Sequence, residues 1–119
     1  MRVDITQSFR FEAAHFLPNV PPGHRCMRVH GHSYKIDVVV TGPLDEHLGW
    51  VVDFYDVESA FGPLLQTLDH HLLNEVEGLS NPTAENIALW IWTRLKPKLP
   101  GLASVTVHET ELSRATVTG

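Results

Sequence analysis

The 119-residue sequence contains only one cysteine, Cys26, so no disulfide can form within the chain. It has no apolar run approaching the roughly 18 residues that a membrane-spanning helix requires. Residues 1–6 contain no apolar segment of the kind found in signal peptides. From these absences we expect a cytoplasmic protein that does not use a membrane as a partner.

Basic residues are also few. The chain has 9 Lys and Arg against 14 Asp and Glu, which gives a formal net charge of -5. The basic residues are scattered, whereas a nucleic-acid-binding protein usually carries them in a patch or stripe. We therefore expect no nucleic-acid partner. The length suits one ordinary domain, and because no linker or internal repeat is visible, we predict a single domain over residues 1–119.

Two segments in the first half alternate between apolar and polar residues, which is typical of half-buried strands. The first spans residues 7–16 and the second runs from His30 to the turn at residues 41–43. Between them, residues 17–28 contain three prolines and a glycine, which predict a loop. One face of the first strand is shared by Phe9, Phe11, Ala13 and His15.

Two helices are predicted next. Asp53 can cap the first, whose apolar positions extend to Leu68 at helical spacing. Because an interior proline removes a backbone hydrogen bond, we expect a bend or break at Gly62–Pro63. Thr83 is the predicted cap of the second helix, and Pro97 ends it.

Two short strands, at about residues 103–110 and 114–118, complete the pattern. The order ββ-α-α-ββ predicts an α+β fold in which two helices cover one face of a four-stranded antiparallel sheet.

The tripeptide His30-Gly31-His32 is the most informative local pattern. On a strand, side chains two residues apart point to the same face, with Cα atoms about 6.6 Å apart. Two imidazoles at that separation can reach one ion at Zn–N distances of about 2.0–2.1 Å. His15, on the predicted neighbouring strand, could be a third ligand. A lone histidine is more often structural, but the three together favour a metal site, and three histidines with one open position are typical of catalytic zinc.

Cys26 lies four residues before His30 in the predicted loop. A nearby cation lowers the pKa of a thiol, which favours a reactive thiolate. The alternative is that Cys26 is a fourth zinc ligand, which would make the site closed and structural. The spacing leaves both interpretations open.

Two carboxylates have possible roles beside these residues. Asp69 precedes His70 and His71, and an Asp–His pair can orient an imidazole and stabilise its cation. Glu109 is in step with Val105 and Val107, so its side chain would face inward, which is costly unless the carboxylate is paired or used. A glutamate turned to water at the end of the strand is the alternative.

Taken together, these motifs resemble the 6-pyruvoyl-tetrahydropterin synthase family over nearly the whole chain. The matching elements are Phe11–His15, Cys26 with His30-Gly31-His32, Asp69-His70-His71, residues 82–86 and Glu109. The short length and the three-residue gap between Cys26 and His30 look most like the bacterial 6-carboxytetrahydropterin synthases of the queuosine pathway. Those enzymes convert 7,8-dihydroneopterin triphosphate to 6-carboxy-5,6,7,8-tetrahydropterin with release of acetaldehyde and triphosphate.

The resemblance implies the tunnelling fold, in which subunits close their sheets into a barrel, and a homohexamer of two trimers. It implies zinc as the metal, with ligands His15, His30 and His32. It further implies a general base, Cys26, and a second proton-transfer pair, Asp69 and His70. The pterin would be anchored by Glu109, and the residues implied to line its pocket from an adjoining subunit are Thr83 and Glu85.

Three rival functions follow from the same residues. The first is a 6-pyruvoyl-tetrahydropterin synthase, which keeps the side-chain carbons that the 6-carboxy enzyme loses as acetaldehyde. The second is a non-catalytic, zinc-stabilised binding module with Cys26 as fourth ligand. A zinc hydrolase is disfavoured because the sequence contains no H-E-x-x-H pattern.

Overall fold

A computed structural model describes residues 1–119 and contains four strands and two α-helices in the predicted order ββ-α-α-ββ. The sheet is antiparallel throughout, with strand order β1-β2-β3-β4. The strands are β1 (Arg2–His15), β2 (His30–Pro43), β3 (Leu102–Thr110) and β4 (Ser113–Thr118). The helices are α1 (Phe54–Leu68) and α2 (Ala84–Leu95). The predicted α+β fold is confirmed.

The long β1–β2 hairpin is what positions the histidines. Its register runs without a shift from Arg2 opposite Pro43 to His15 opposite His30. The first strand therefore starts five residues before the predicted range of 7–16 and ends one residue earlier. Its early residues extend the strand because β2 is long enough to pair with them, although Val3 and Ile5 are only half-buried.

Both helices pack on the apolar face of the sheet. On α1 the buried stripe is Val57, Ala60, Phe61, Leu64 and Leu68, and on α2 it is Ile87, Ala88, Trp90, Ile91 and Leu95. The ring of Phe61 stacks on Phe9 of β1 with centroids 4.2 Å apart. Neither helix is long and apolar enough to cross a membrane.

Of the predicted bend or break at Gly62–Pro63, the break is wrong, because α1 continues through both residues. The bend stays a prediction. Pro63 is exposed, so its ring does not disturb the packing of the helix on the sheet. The buried side chains Phe61 and Leu64, on either side of it, hold both halves of the helix against the core. The loss of one backbone donor is thus outweighed by tertiary packing.

Thr83 caps α2 as predicted, because its hydroxyl accepts a hydrogen bond from the backbone N–H of Asn86 at 3.1 Å. We expect Thr83→Ala to lower the free energy of unfolding by about 1 kcal/mol, since the alanine leaves that N–H without its side-chain partner. Urea denaturation measures the change. Thr93→Ala, at an exposed position in the same helix, is the control and should change it by less than about 0.5 kcal/mol. If the two variants lost equal free energy of unfolding, the stabilisation assigned to the Thr83 cap would be wrong.

Candidate active site

Three histidines meet at one end of the β1–β2 hairpin. His15 ends β1, whereas His30 and His32 begin β2 on the same face, so the hairpin register brings all three rings together. One nitrogen from each ring lies within 4.8 Å of the others. His15 is fully buried and the other two are half-buried. The structure therefore assembles the three predicted ligands into a cluster that can bind a metal ion.

Backbone carbonyls fix the orientation of two of these rings. His15 Nδ1 lies 2.8 Å from the carbonyl oxygen of Pro82, and His30 Nδ1 lies 2.7 Å from that of Arg28. Since a carbonyl can only accept, both Nδ1 atoms carry the proton and both Nε2 atoms present a lone pair. The two Nε2 atoms are 3.0 Å apart. Two facing lone pairs at that distance repel each other unless a cation lies between them.

His32 supplies the third nitrogen. Its Nε2 is buried and makes no hydrogen bond in the chain, although the Glu109 carboxylate lies 3.4 Å away. A buried polar atom without a partner is costly, and a metal ion would satisfy it. Nitrogens that share a tetrahedral zinc ion are about 3.3 Å apart, given Zn–N distances of about 2.05 Å. The 3.0 Å between the Nε2 atoms of His15 and His30 is close to this value, and the third nitrogen lies within 4.8 Å, so the three imidazoles can converge on such an ion.

Burial favours the neutral form of two of the rings, those of His15 and His32. Burial lowers the pKa of His15 below its ordinary value, against the opposing effect of its hydrogen bond to Pro82. Burial also lowers the pKa of His32, although the carboxylate of Glu109 acts in the other direction. Neutral imidazole is the form that binds a metal. Burial therefore keeps the nitrogens of His15 and His32 in the form that can bind a metal.

Cys26 lies in a 3₁₀ turn, Arg25–Met27, and is half-buried. It lines a cavity of about 550 Å³ together with His30, His32 and Glu109. Its thiol is not part of the cluster of potential metal ligands. The predicted base therefore faces the same cavity as two of the ligands without completing a fourth coordination position, an arrangement that disfavours the closed structural site.

Asp69 and His70 form the predicted pair directly after α1. The Asp69 carboxylate is 2.9 Å from His70 Nδ1 and accepts a hydrogen bond from the backbone N–H of Glu12 at 3.0 Å. The bond from Glu12 and the contact with His70 lower the pKa of Asp69. His70 has a φ of 59°, a left-handed conformation that is uncommon outside glycine, and its N–H donates to the Glu12 carbonyl. The strand β1 thus holds this turn in place.

Within one chain the pair is separated from Cys26. His70 and His71 line a second cavity of about 500 Å³, whose other walls include Glu12 and Ser33. His32 borders both cavities, but neither Cys26 nor Glu109 lines the second one. The structure therefore does not bring the two predicted proton-transfer groups to one cavity of a single chain.

Two of the predicted pterin-binding residues, Glu85 and Glu109, line one cavity near the end of β3. Glu109 lies at a register shift between His108 and Thr110, and its carboxylate is 3.4 Å from His32 Nε2. It also lines a small adjoining cavity of about 220 Å³ that contains Glu85. Glu85 thus lines one cavity with Glu109 within a single chain. A contribution of Thr83 and Glu85 to the pocket of an adjoining subunit stays a prediction. Thr83 stands two residues before Glu85, at the start of α2.

The largest cavity, about 770 Å³, lies at the other end of β2, around Gly42 and Gly101. It contains none of the predicted site residues. The predicted site residues therefore lie around the smaller cavities beside the histidines.

Sequence reasoning missed three contributors to the site. The carbonyls of Pro82 and Arg28, which orient the ligand rings, are backbone atoms, so no residue pattern marks them. Glu12 fell inside a motif but received no role, although its backbone holds both Asp69 and His70.

The sheet with two helices on one face, and three histidines converging at the end of its first hairpin, define the class: a tunnelling-fold protein with a histidine cluster that can hold a metal ion. The sequence profile of the 6-pyruvoyl tetrahydropterin synthase family matches residues 4–119, and the chain belongs to this family.

Named relatives agree with this assignment. A 6-carboxy-5,6,7,8-tetrahydropterin synthase from Synechocystis sp. is 41% identical over 117 residues, covering 93% of this chain and 89% of that protein. A dihydroneopterin monophosphate aldolase from Pyrococcus furiosus is 36% identical over 101 residues, covering 85% and 82%. The structure of 6-pyruvoyl tetrahydropterin synthase from Caenorhabditis elegans is similar at a TM-score of 0.92 and 27% identity, covering 100% of this chain and 96% of that one.

Proposed function

We propose that this chain is a zinc-dependent 6-carboxytetrahydropterin synthase. It would convert 7,8-dihydroneopterin triphosphate to 6-carboxy-5,6,7,8-tetrahydropterin, releasing acetaldehyde and triphosphate, in the queuosine pathway. The observation that carries the proposal is the three-histidine cluster next to a cavity that contains both Cys26 and Glu109. Similarity to the Synechocystis enzyme supports the 6-carboxy product. The proposal includes a cytoplasmic location and a homohexameric assembly.

The metal would be held by His15, His30 and His32. When bound, zinc supplies Lewis acidity that polarises substrate oxygens and makes nearby protons easier to remove. Cys26, as the thiolate, would remove a proton from the substrate side chain, because it faces the cavity beside the cluster without being one of its ligands.

Glu109 would bind the pterin ring. Its carboxylate has two acceptor oxygens, which match two neighbouring N–H donors of a guanidine-like ring edge. At 30% exposure the side chain is accessible from the cavity. The His70 imidazole, oriented by Asp69, would transfer protons in later steps. Because that pair lines a different cavity, the proposed homohexamer would have to bring it from one subunit to the Cys26 cavity of another.

Product analysis tests this proposal. Purified protein of known zinc content is incubated with 7,8-dihydroneopterin triphosphate, and acetaldehyde and the pterin product are measured together. We expect acetaldehyde and 6-carboxy-5,6,7,8-tetrahydropterin in equal amounts. A pyruvoyl product without acetaldehyde would reassign the chain to the neighbouring synthase activity. Turnover of dihydroneopterin monophosphate in preference to the triphosphate would favour the activity named for the Pyrococcus furiosus relative.

A further inference from the structure

We propose that Arg25 and Arg28 form a subsite that binds the phosphate chain of the substrate at the edge of the Cys26 cavity. Both residues line that cavity of about 550 Å³. The identity of the anion as a pterin triphosphate rests on the proposed function. The presence of a polyphosphate subsite rests on the geometry and charge of the two arginines.

A short turn carries both arginines to the same cavity. Arg25 begins the 3₁₀ turn, and Arg28 follows it directly in an extended conformation. The turn is closed by a hydrogen bond from the Arg28 N–H to the Arg25 carbonyl at 3.2 Å. It is tied to the loop after β1 by a bond from the Leu17 N–H to the Cys26 carbonyl at 2.8 Å. The two side chains therefore extend from a fixed backbone.

The same backbone sets the position of the arginines relative to the metal cluster. The carbonyl of Arg28 accepts a hydrogen bond from His30 Nδ1 at 2.7 Å, so the backbone of Arg28 is linked directly to the ring of a predicted ligand. Cys26 lies between the two arginines in sequence and in the same cavity wall. If the reactive side chain of the substrate lies near Cys26, the phosphates attached to that side chain would lie close to both guanidinium groups.

The charges are available for an anion. None of the chain's four ion pairs involves Arg25 or Arg28. Glu109 is the only carboxylate residue lining this cavity, and its contact is with His32 at 3.4 Å. In a chain with a net charge of -5, two unpaired guanidinium groups at one cavity provide a local positive region. Guanidinium binds phosphate oxygens in a bidentate manner, and two of them suit a chain of phosphates better than a single one.

Ligand binding tests the subsite without requiring turnover. Dissociation constants for 7,8-dihydroneopterin triphosphate and for 7,8-dihydroneopterin are measured by equilibrium dialysis in zinc-loaded Cys26→Ala protein. Adding Arg25→Gln and Arg28→Gln together should weaken triphosphate binding about 100-fold, since each lost charge-assisted contact contributes about 10-fold. Binding of the dephosphorylated compound should change less than about 2-fold, and the salt dependence of triphosphate binding should decrease.

Arg10→Gln is the matched control, because Arg10 is an exposed arginine on β1 outside the cavity, and it should change neither constant. Zinc content confirms that each variant retains its site. Equal weakening for both ligands, or no change for either, would overturn the subsite. Failure of the proposed reaction is a separate result, because it would appear as missing acetaldehyde in wild-type protein. The dissociation constants of the triphosphate and of the dephosphorylated compound could still be measured and compared in that case.

Discussion

Replacing His15 with alanine should remove the bound zinc and lower turnover to below about 1% of wild type. The ring is fully buried, and its Nε2 lies 3.0 Å from that of His30. Without it, two imidazoles remain, which is one fewer than the three protein ligands that catalytic zinc sites use. Metal analysis by mass spectrometry and the acetaldehyde assay measure the two effects on the same preparation.

His47→Ala is the control for this prediction. His47 is an exposed histidine outside the cluster, so its loss should leave both zinc content and turnover unchanged. If the His15→Ala variant kept one zinc per chain, the assignment of the cluster as the metal site would be wrong.

Replacing Cys26 with alanine should keep zinc and fold but reduce turnover by roughly 10²–10⁴-fold, the usual contribution of a positioned general base. The reason is its location: the thiol faces the cavity beside the histidines but is not one of the clustered ligand atoms. Zinc content, thermal unfolding and the acetaldehyde assay are compared with those of wild type.

Cys26→Ser is the matched variant, since it preserves size and hydrogen bonding but replaces the thiol with a hydroxyl that ionises far less readily. It should likewise retain zinc and lose turnover. Stoichiometric loss of zinc from either variant would instead show that Cys26 is a fourth ligand, as in the non-catalytic zinc-stabilised module.

Periodicity explains why much of the fold and the metal cluster could be predicted. Side chains on a strand alternate strictly, so His30 and His32 had to share a face once β2 was recognised. His15 has the same parity as the apolar residues of β1, which placed it on the buried side. The caps Asp53 and Thr83 marked both helix starts, because each side chain satisfies a backbone N–H that the helix leaves free.

Other features depend on tertiary contacts that no local pattern encodes. The local rule says that an interior proline destabilises a helix, and it holds best for an isolated helix. In α1 the packing of Phe61 and Leu64 on the sheet keeps the helix continuous through Pro63. The separation of His70 from Cys26 into two cavities follows from how the turn after α1 attaches to Glu12. Spacing along the chain carries no information on that attachment.

The most direct test is to remove zinc with a chelator and titrate it back while measuring acetaldehyde release from 7,8-dihydroneopterin triphosphate. We predict no release from the zinc-free protein and a linear rise in activity that stops at about one zinc per chain, because one cluster of three histidines can hold one ion. Full activity in protein shown to contain no metal would contradict the proposed function.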